Sequence, residues 1–554
     1  MIKRFGFLDG LRRSASAAES NLINGVLAGR VSRRELLRHG SVLGLSLPLL
    51  ERVALAAGLG GGALILPAAA AQGGTLRIAS GVPSTAIDPV IVPDNNGLSM
   101  LQQTGEYLCV DGPDLVLRPV LATSWSPNAN GTIWTFKIRT GVKFHNGAAL
   151  TAADVAASIN RLADPANKSN ALSAFKGVLS VGGAKAIDDQ TVEFHLDAPN
   201  GNFPYIVSSD NYNAIIVPAN YDGDFEKNFI GTGPFKLEKY TPKVGASFVR
   251  NPDYWGKPSL LDRTEFTFYQ DIQPQILALQ GGDVDVIRQV PVLAALSLLN
   301  DPKMNVISIG SVAHQQVHMR NDSEQFKDKR VRQALALTLD REKIIQGLLR
   351  GRAKVGNDSP FAALYPSSDS SVPQRKQDLA AAKQLLEAAG VGKGFKVTLT
   401  TEKYLEIPQY AQLIQSAAKQ VGIEIDLKVE DQGAYYGDAV PGKSDWLDSA
   451  LGITDYGHRG VPNVYLSAPL LSDGTWNAAH FKNAEYDQLV KGYVGALDLE
   501  GQKATAGKIQ RLLLDETPII FGYFYDYLAI TAKNVTGVEV TAMSHIFLDR
   551  ASKS

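Results

Sequence analysis

The chain has 554 residues, 45% of them hydrophobic, and its 55 basic and 56 acidic side chains give a formal net charge of -1. Nine of the basic and four of the acidic residues fall in the first 72 positions, which leaves 46 against 52 beyond them, a net charge of about -6 that argues against a nucleic-acid partner. The single cysteine, Cys109, excludes a disulfide within the chain and any zinc or iron-sulfur site built on several thiolates, so stability must come from a core, for which roughly 480 residues are ample.

Residues 1–72 differ in composition from the rest. Ser32-Arg33-Arg34-Glu35-Leu36-Leu37 has the form of a twin-arginine export motif, and a Leu/Ala/Gly-rich run follows it, ending in Leu66-Pro67-Ala68-Ala69-Ala70-Ala71. A basic region, an apolar region and an Ala-x-Ala site read together as a signal peptide, to be set aside from the fold. Glu51 and Arg52 interrupt the apolar stretch, against a continuous span of about 20 residues. No cysteine stands at the processing site, so the expected product is periplasmic and not lipid-anchored.

Beyond the leader, Gly74–Ala79 reads as a first strand. The most legible stretch is Leu117–Leu162. Asn128–Gly131 is a turn by residue type, and Ile133–Arg139 alternates with period two, putting Trp134, Phe136 and Ile138 on one face. After a second turn at His145-Asn146-Gly147, Thr151 and Asp154 form a capping box that starts a helix, with Leu150 and Val155 as a staple. Gln190–Leu196 alternates again. Gly231-Thr232-Gly233-Pro234 is no phosphate cradle, because it lacks the Lys-Ser/Thr of a P-loop. Residues 378–390 form an amphipathic helix stopped at Gly390, and strands expected at Phe395–Thr400 and Ile423–Val429 with a helix between them give the β-α-β alternation of an α/β lobe.

The segments LATSW, NGTIWTFKIRTGVKFHNG and LTAADVAASINRL resemble the signature of the extracellular solute-binding proteins of the peptide, opine and nickel family of ABC importers. Further blocks fit the same family: Ala86-Ile87-Asp88-Pro89, Gly105–Gly112, Gly231–Leu237, Val249–Gly256, Ala278–Asp285, Phe326–Ile345 and Lys508–Ile520. The resemblance spans nearly the whole chain after residue 72. It implies an α/β, two-lobed periplasmic-binding-protein (Venus-flytrap) fold with an extra subdomain in the first lobe. The implied division is lobe I at 73–311 and 520–554, with the extra subdomain at about 117–226, and lobe II at 312–519. Arg and Asp residues of the Phe326–Ile345 block are scaffold in such proteins.

The resemblance also points to site residues. Tyr107 follows the first strand, near the family's cleft. His314, Gln316 and His318 share one face if Val312–Asn321 is a strand crossing between lobes; on a helix, His314 and His318 would have the spacing of a paired metal site, with no third acidic ligand following. Peptide-holding relatives carry an acid near residue 455 that meets the ligand's amino group. Here the loop reads Leu451–Asn463, with Asp455 in the acid's place and His458-Arg459 replacing a second Asp-Pro. The Arg459 fork suits a carboxylate and Asp455 an ammonium, so the two would grip a zwitterion, unless they pair with each other. Tyr435, Trp476 and Asn477 are expected as further walls and polar contacts.

The expected function is therefore capture of a small peptide-like or opine-like solute, zwitterionic or anionic, and its delivery to the transmembrane permease subunits. A monomer, no cofactor, no metal and no catalytic residues go with it. The competing classes are an exported hydrolase, for which no Gly-x-Ser-x-Gly elbow, HExxH or cysteine nucleophile is present, and a metal or haem scavenger.

Overall fold

A computed structural model describes residues 15–57, 59, 73–223, 225–228 and 230–554. The Ala68–Ala71 processing site therefore lies outside the described residues. Among those residues, no helix is long and apolar enough to cross a membrane.

Two large sheets carry the two lobes. The first runs in the order 304–309, 527–532, 286–287, 75–81, 263–269, 245–250, 235–241. Its first strand, Thr75–Gly81, pairs parallel with Arg263–Tyr269 on one side and with Val286–Ile287 on the other. The second sheet runs 353–355, 519–525, 314–319, 451–456, 395–402, 423–430. The β-α-β unit anticipated in lobe II is present: Phe395–Glu402 and Ile423–Glu430 pair in parallel through the helix Ile407–Lys419, which buries Tyr410 and Ile414.

The chain crosses between the sheets at 310–313 and returns at Asp526. This corrects the expected return at 519/520. The aromatic run Phe521–Ala529 is split at Asp526: Ile519–Tyr525 belongs to lobe II and Tyr527–Ala532 to lobe I. The crossings are tied together. Ser311 Oγ donates to the Tyr525 carbonyl, the Tyr525 amide donates to the Ala313 carbonyl at 3.0 Å, and Ser308 Oγ donates to Asp526 Oδ2 at 3.0 Å.

The extra subdomain is a four-stranded antiparallel sheet, ordered 122–127, 133–138, 191–195, 184–188. Trp134, Phe136 and Ile138 are buried, as the alternation requires. The helix Ala152–Ala163 covers the sheet, and Asp154 Oδ2 accepts from both the amide and the hydroxyl of Thr151. Gly231 and Gly233 lie against the end of the helix Asn95–Thr104: a Cβ on Gly231 would stand 2.0 Å from the Thr104 carbonyl oxygen. That close approach, not a ligand, is what the glycines serve.

Residues of the leader stretch, set aside on sequence grounds, form three helices: Ala17–Leu27, Arg33–Val42 and Leu47–Ala56. They share a small core built on Leu22, Ile23, Leu36, Leu50 and Val53, which Leu499 of lobe II completes.

Candidate functional site

A cleft of about 680 Å³ lies between the lobes. Lobe I supplies the end of its first strand at Ser80 and Gly81, the start of the helix Asn95–Thr104, Tyr212, Arg288 and the C-terminal segment at Met543 and Ser544. Lobe II supplies Tyr404, Gln432, Tyr436, Asp455, His458 and Arg459. Ser80, Gly81 and Asp455 stand at strand ends and Gln432 at a helix start, while Tyr212, Met543 and Ser544 come from turns between elements.

One wall is acidic. Asp455, near the end of the strand Leu451–Tyr456, accepts from Tyr525 Oη at 2.8 Å, and its amide donates to Glu402 Oε1 at 3.0 Å. Glu402 also accepts from Gln432 Nε2 at 2.6 Å and Tyr436 Oη at 2.8 Å. Burial pushes the Asp455 carboxyl well above the usual carboxylate range, and the negative charges of Glu402 and Glu406 push it the same way. Burial also raises Glu402, against its three donors.

Two guanidinium groups stand elsewhere in the cleft. Arg288 donates to Tyr527 Oη at 3.1 Å and Asn96 Oδ1 at 2.9 Å, and its buried Nε has no partner. Arg459 stacks over the Tyr212 ring, 5.8 Å from its centroid, and donates to the His458 carbonyl at 2.8 Å. No ion pair joins Arg459 to Asp455, so the two do not neutralise each other. His458 is buried and its Nδ1 accepts from the Val312 amide at 3.1 Å, which ties this loop to the first crossing. Burial first, then Arg459, pulls its imidazole down to about 3.

Of the nine residues expected at the site, Asp455, His458 and Arg459 line the cleft. His314 and Gln316 do not. The strand His314–Met319 is buried along its whole length with a strand on either side. His314 sits among Tyr456, Tyr465, Phe521 and Phe524, its Nδ1 bonded to the Val312 carbonyl, and burial pulls it down to about 4. Because the segment is a strand, His314 and His318 stand about 13 Å apart and cannot share a metal ion as they would on a helix.

Tyr435 is buried beneath the cleft, bonded to the Ile453 carbonyl and Thr454 Oγ1; its neighbour Tyr436 lines the wall instead. Trp476 packs near Tyr456 and Trp446, with centroids at 6.1 and 6.3 Å, and lines a separate cavity of about 150 Å³ shared with Arg459 and Tyr212. Asn477 staples its own loop, donating to the Leu471 and Phe481 carbonyls. Tyr107 supports the cleft from behind: its hydroxyl donates to the Tyr212 carbonyl at 3.0 Å. Asn96, Arg288, Tyr404, Gln432 and Met543 also line the cleft, and no local sequence pattern marks them.

Two lobes, two tied crossings and a polar cleft with separated charges define a solute-binding protein of the flytrap type. Residues 116–467 match the middle region of the bacterial extracellular solute-binding proteins, family 5, and the chain belongs to that family of binding proteins. It is 26% identical over 501 residues to the dipeptide-binding protein DppE of Bacillus subtilis, covering 85% of this chain and 90% of DppE. Among solved structures, the oligopeptide-binding protein AppA of B. subtilis with a nonapeptide superposes with a TM-score of 0.73 at 23% identity, covering 88% of this chain and all of AppA. AgaA of A. tumefaciens R10 with agropinic acid gives the same TM-score at 24% identity, over 87% of this chain and 99% of AgaA.

Proposed function

We propose that this chain is the substrate-binding component of an ABC importer, and that it takes a small peptide-like or opine-like solute carrying an anionic group, with or without an ammonium, into the interlobe cleft for delivery to the permease. The observation that carries this reading is the separation of charge: Asp455 and Glu402 on one wall, Arg288 and Arg459 apart from them, with no ion pair between Asp455 and Arg459. A zwitterion satisfies both sets at once, each charge-assisted contact contributing about 1.5 to 3 kcal/mol when desolvated. Relatives that hold a dipeptide, a nonapeptide and agropinic acid support the class of cargo without choosing within it. Ligand contact with both lobes shifts the equilibrium toward the closed form, which is what a permease reads. The protein works as a monomer, in the periplasm, exported by the twin-arginine route on the strength of Ser32–Leu37 and free of a lipid anchor, its one cysteine being buried.

Thermal-shift screening with amino acids, opines, short peptides, sugars and nickel chelates tests the reading, followed by titration calorimetry of the best anionic hit. Arg459→Ala is expected to weaken that hit by roughly 10- to 100-fold, the equivalent of 1.5 to 3 kcal/mol. An unchanged affinity removes Arg459 from the site. Turnover of any of these compounds by the purified protein would overturn the binding reading in favour of a hydrolase.

A further inference from the structure

The N-terminal helices are seated on the seam between the lobes. Ser32 and Glu35 cap the helix Arg33–Val42 reciprocally, which fixes its start and sends its far end into the body. Arg38 is 4% exposed. Its guanidinium donates to Tyr205 Oη in the extra subdomain and to the carbonyls of Gly460 and Leu364 in lobe II, with the Tyr205 and Tyr365 rings at 5.8 and 5.3 Å. On the lobe I side, Ser41 Oγ accepts from the Leu117 amide at 3.0 Å, and Trp125 Nε1 donates to the Ser41 and Val42 carbonyls. On the lobe II side, His39 bonds the Leu497 carbonyl at 2.9 Å, Glu35 pairs with Lys503, and Arg30 pairs with Glu500 at 3.3 Å. Gly44, at φ +83°, lies so close to Trp125 that a Cβ there would overlap its carbonyl oxygen.

Without this segment the seam is closed by few polar contacts. Asn202 Nδ2 donates to Asn463 Oδ1 at 3.1 Å, the Gly201 amide donates to the Val494 carbonyl at 2.9 Å, and the Gly460 amide donates to Asp210. A buried guanidinium needs its acceptors, and those of Arg38 come from both lobes. Parting the lobes strips it of one set or the other. Asp111 and Asp210 are buried nearby, and Arg38 is one of the cations that offset their charge.

We propose that residues 32–44 are an interlobe clasp: in the chain that carries them they hold the two lobes closed over the cleft, and their release frees the lobes to part. A group that touches both lobes only in the closed arrangement biases the equilibrium toward it by that differential contact. The clasp is independent of which solute the cleft accepts, and its failure would leave the binding function untouched.

The test measures the interlobe distance in the ligand-free full chain. Spin labels are placed through Lys143→Cys in the extra subdomain and Lys482→Cys in lobe II, both exposed, while Cys109 is buried and stays unlabelled. The full chain is expected to show a single short distance by electron–electron double resonance. Arg38→Ala is expected to add a second, longer population, and Lys503→Ala, which removes only the surface anchor to Glu35, a smaller one in the same direction. If Arg38→Ala fails to fold by circular dichroism, Lys503→Ala decides. Distributions that superimpose on the unsubstituted chain in every variant that folds, or a ligand-free full chain that already populates the longer distance, overturn the clasp.

Discussion

Replacing Asp358 by Asn is expected to lower the stability of lobe II by about 3 to 5 kcal/mol, the usual consequence of removing one partner from a buried ion cluster. The Asp358 side chain is fully buried, and its two oxygens hold three elements together. Arg341, at the start of the helix Arg341–Leu349, donates to both at 2.8 and 2.9 Å. Arg375 donates at 2.6 Å while also reaching the Leu514 carbonyl and Thr517 Oγ1. The Phe521 amide donates at 3.1 Å, which fixes the strand that returns toward lobe I. Asparagine keeps the size and tolerates the left-handed backbone at this position, where φ is 50°, so the change isolates the charge. Two guanidinium groups would then remain desolvated with no counter-charge. Chemical denaturation followed by tryptophan fluorescence measures the loss; a change below about 1 kcal/mol would show that solvent reaches the cluster. Arg341 belongs to the Phe326–Ile345 block, and its bonds to Asp358 give it a structural place in this cluster.

The second large effect concerns pH. Free Asp455 is held protonated well above the ordinary carboxylate range by burial and by Glu402 and Glu406. A ligand ammonium seated beside it favours the ionised form, so binding releases a proton. The sign follows: affinity for an ammonium-bearing ligand rises with pH as long as the free site is still protonated, by up to about tenfold per unit, and levels off once it ionises. A ligand lacking the ammonium loses this slope, and so does Asp455→Asn with any ligand. Calorimetry between pH 5 and 8, in buffers of differing ionisation heat, measures both the affinity and the proton released. A flat profile for an amine-bearing hit would place its amine away from Asp455.

Much of the scaffold was legible because it is written locally. The strand Ile133–Ile138 and the helix capped by Thr151 each follow from neighbouring residues whose period or spacing allows one solution. The cleft is different in kind. Asn96, Arg288, Tyr404 and Met543 meet only because two sheets bring strand ends together across hundreds of residues. The misplacement of His314 and Gln316 has the same origin. Their alternation is real, but on a central strand both faces are covered, and a polar row there is held by its own backbone and by aromatic rings instead of facing solvent. The phenylalanines of the neighbouring strand, Phe521 and Phe524, were the available signal. The packing of the leader helices was not legible because composition reports hydrophobicity and charge, while the buried role of Arg38 depends on carbonyls more than 300 residues away.

The two crossings at 310–313 and 526 run side by side and are bonded to each other. Two neighbouring, linked attachments leave the lobes little freedom to slide or twist, and rotation about the line through both is the motion that strains them least. Displacement under such a rotation grows with distance from that line. Tyr525, which holds Asp455, sits at one crossing, and the loop carrying His458 is tied to the other through the Val312 amide, whereas the parts of the lobes remote from both crossings form the moving rim. The anchoring acid is thereby kept nearly stationary through the cycle, and the geometry of the rim becomes the quantity that distinguishes a loaded molecule from an empty one.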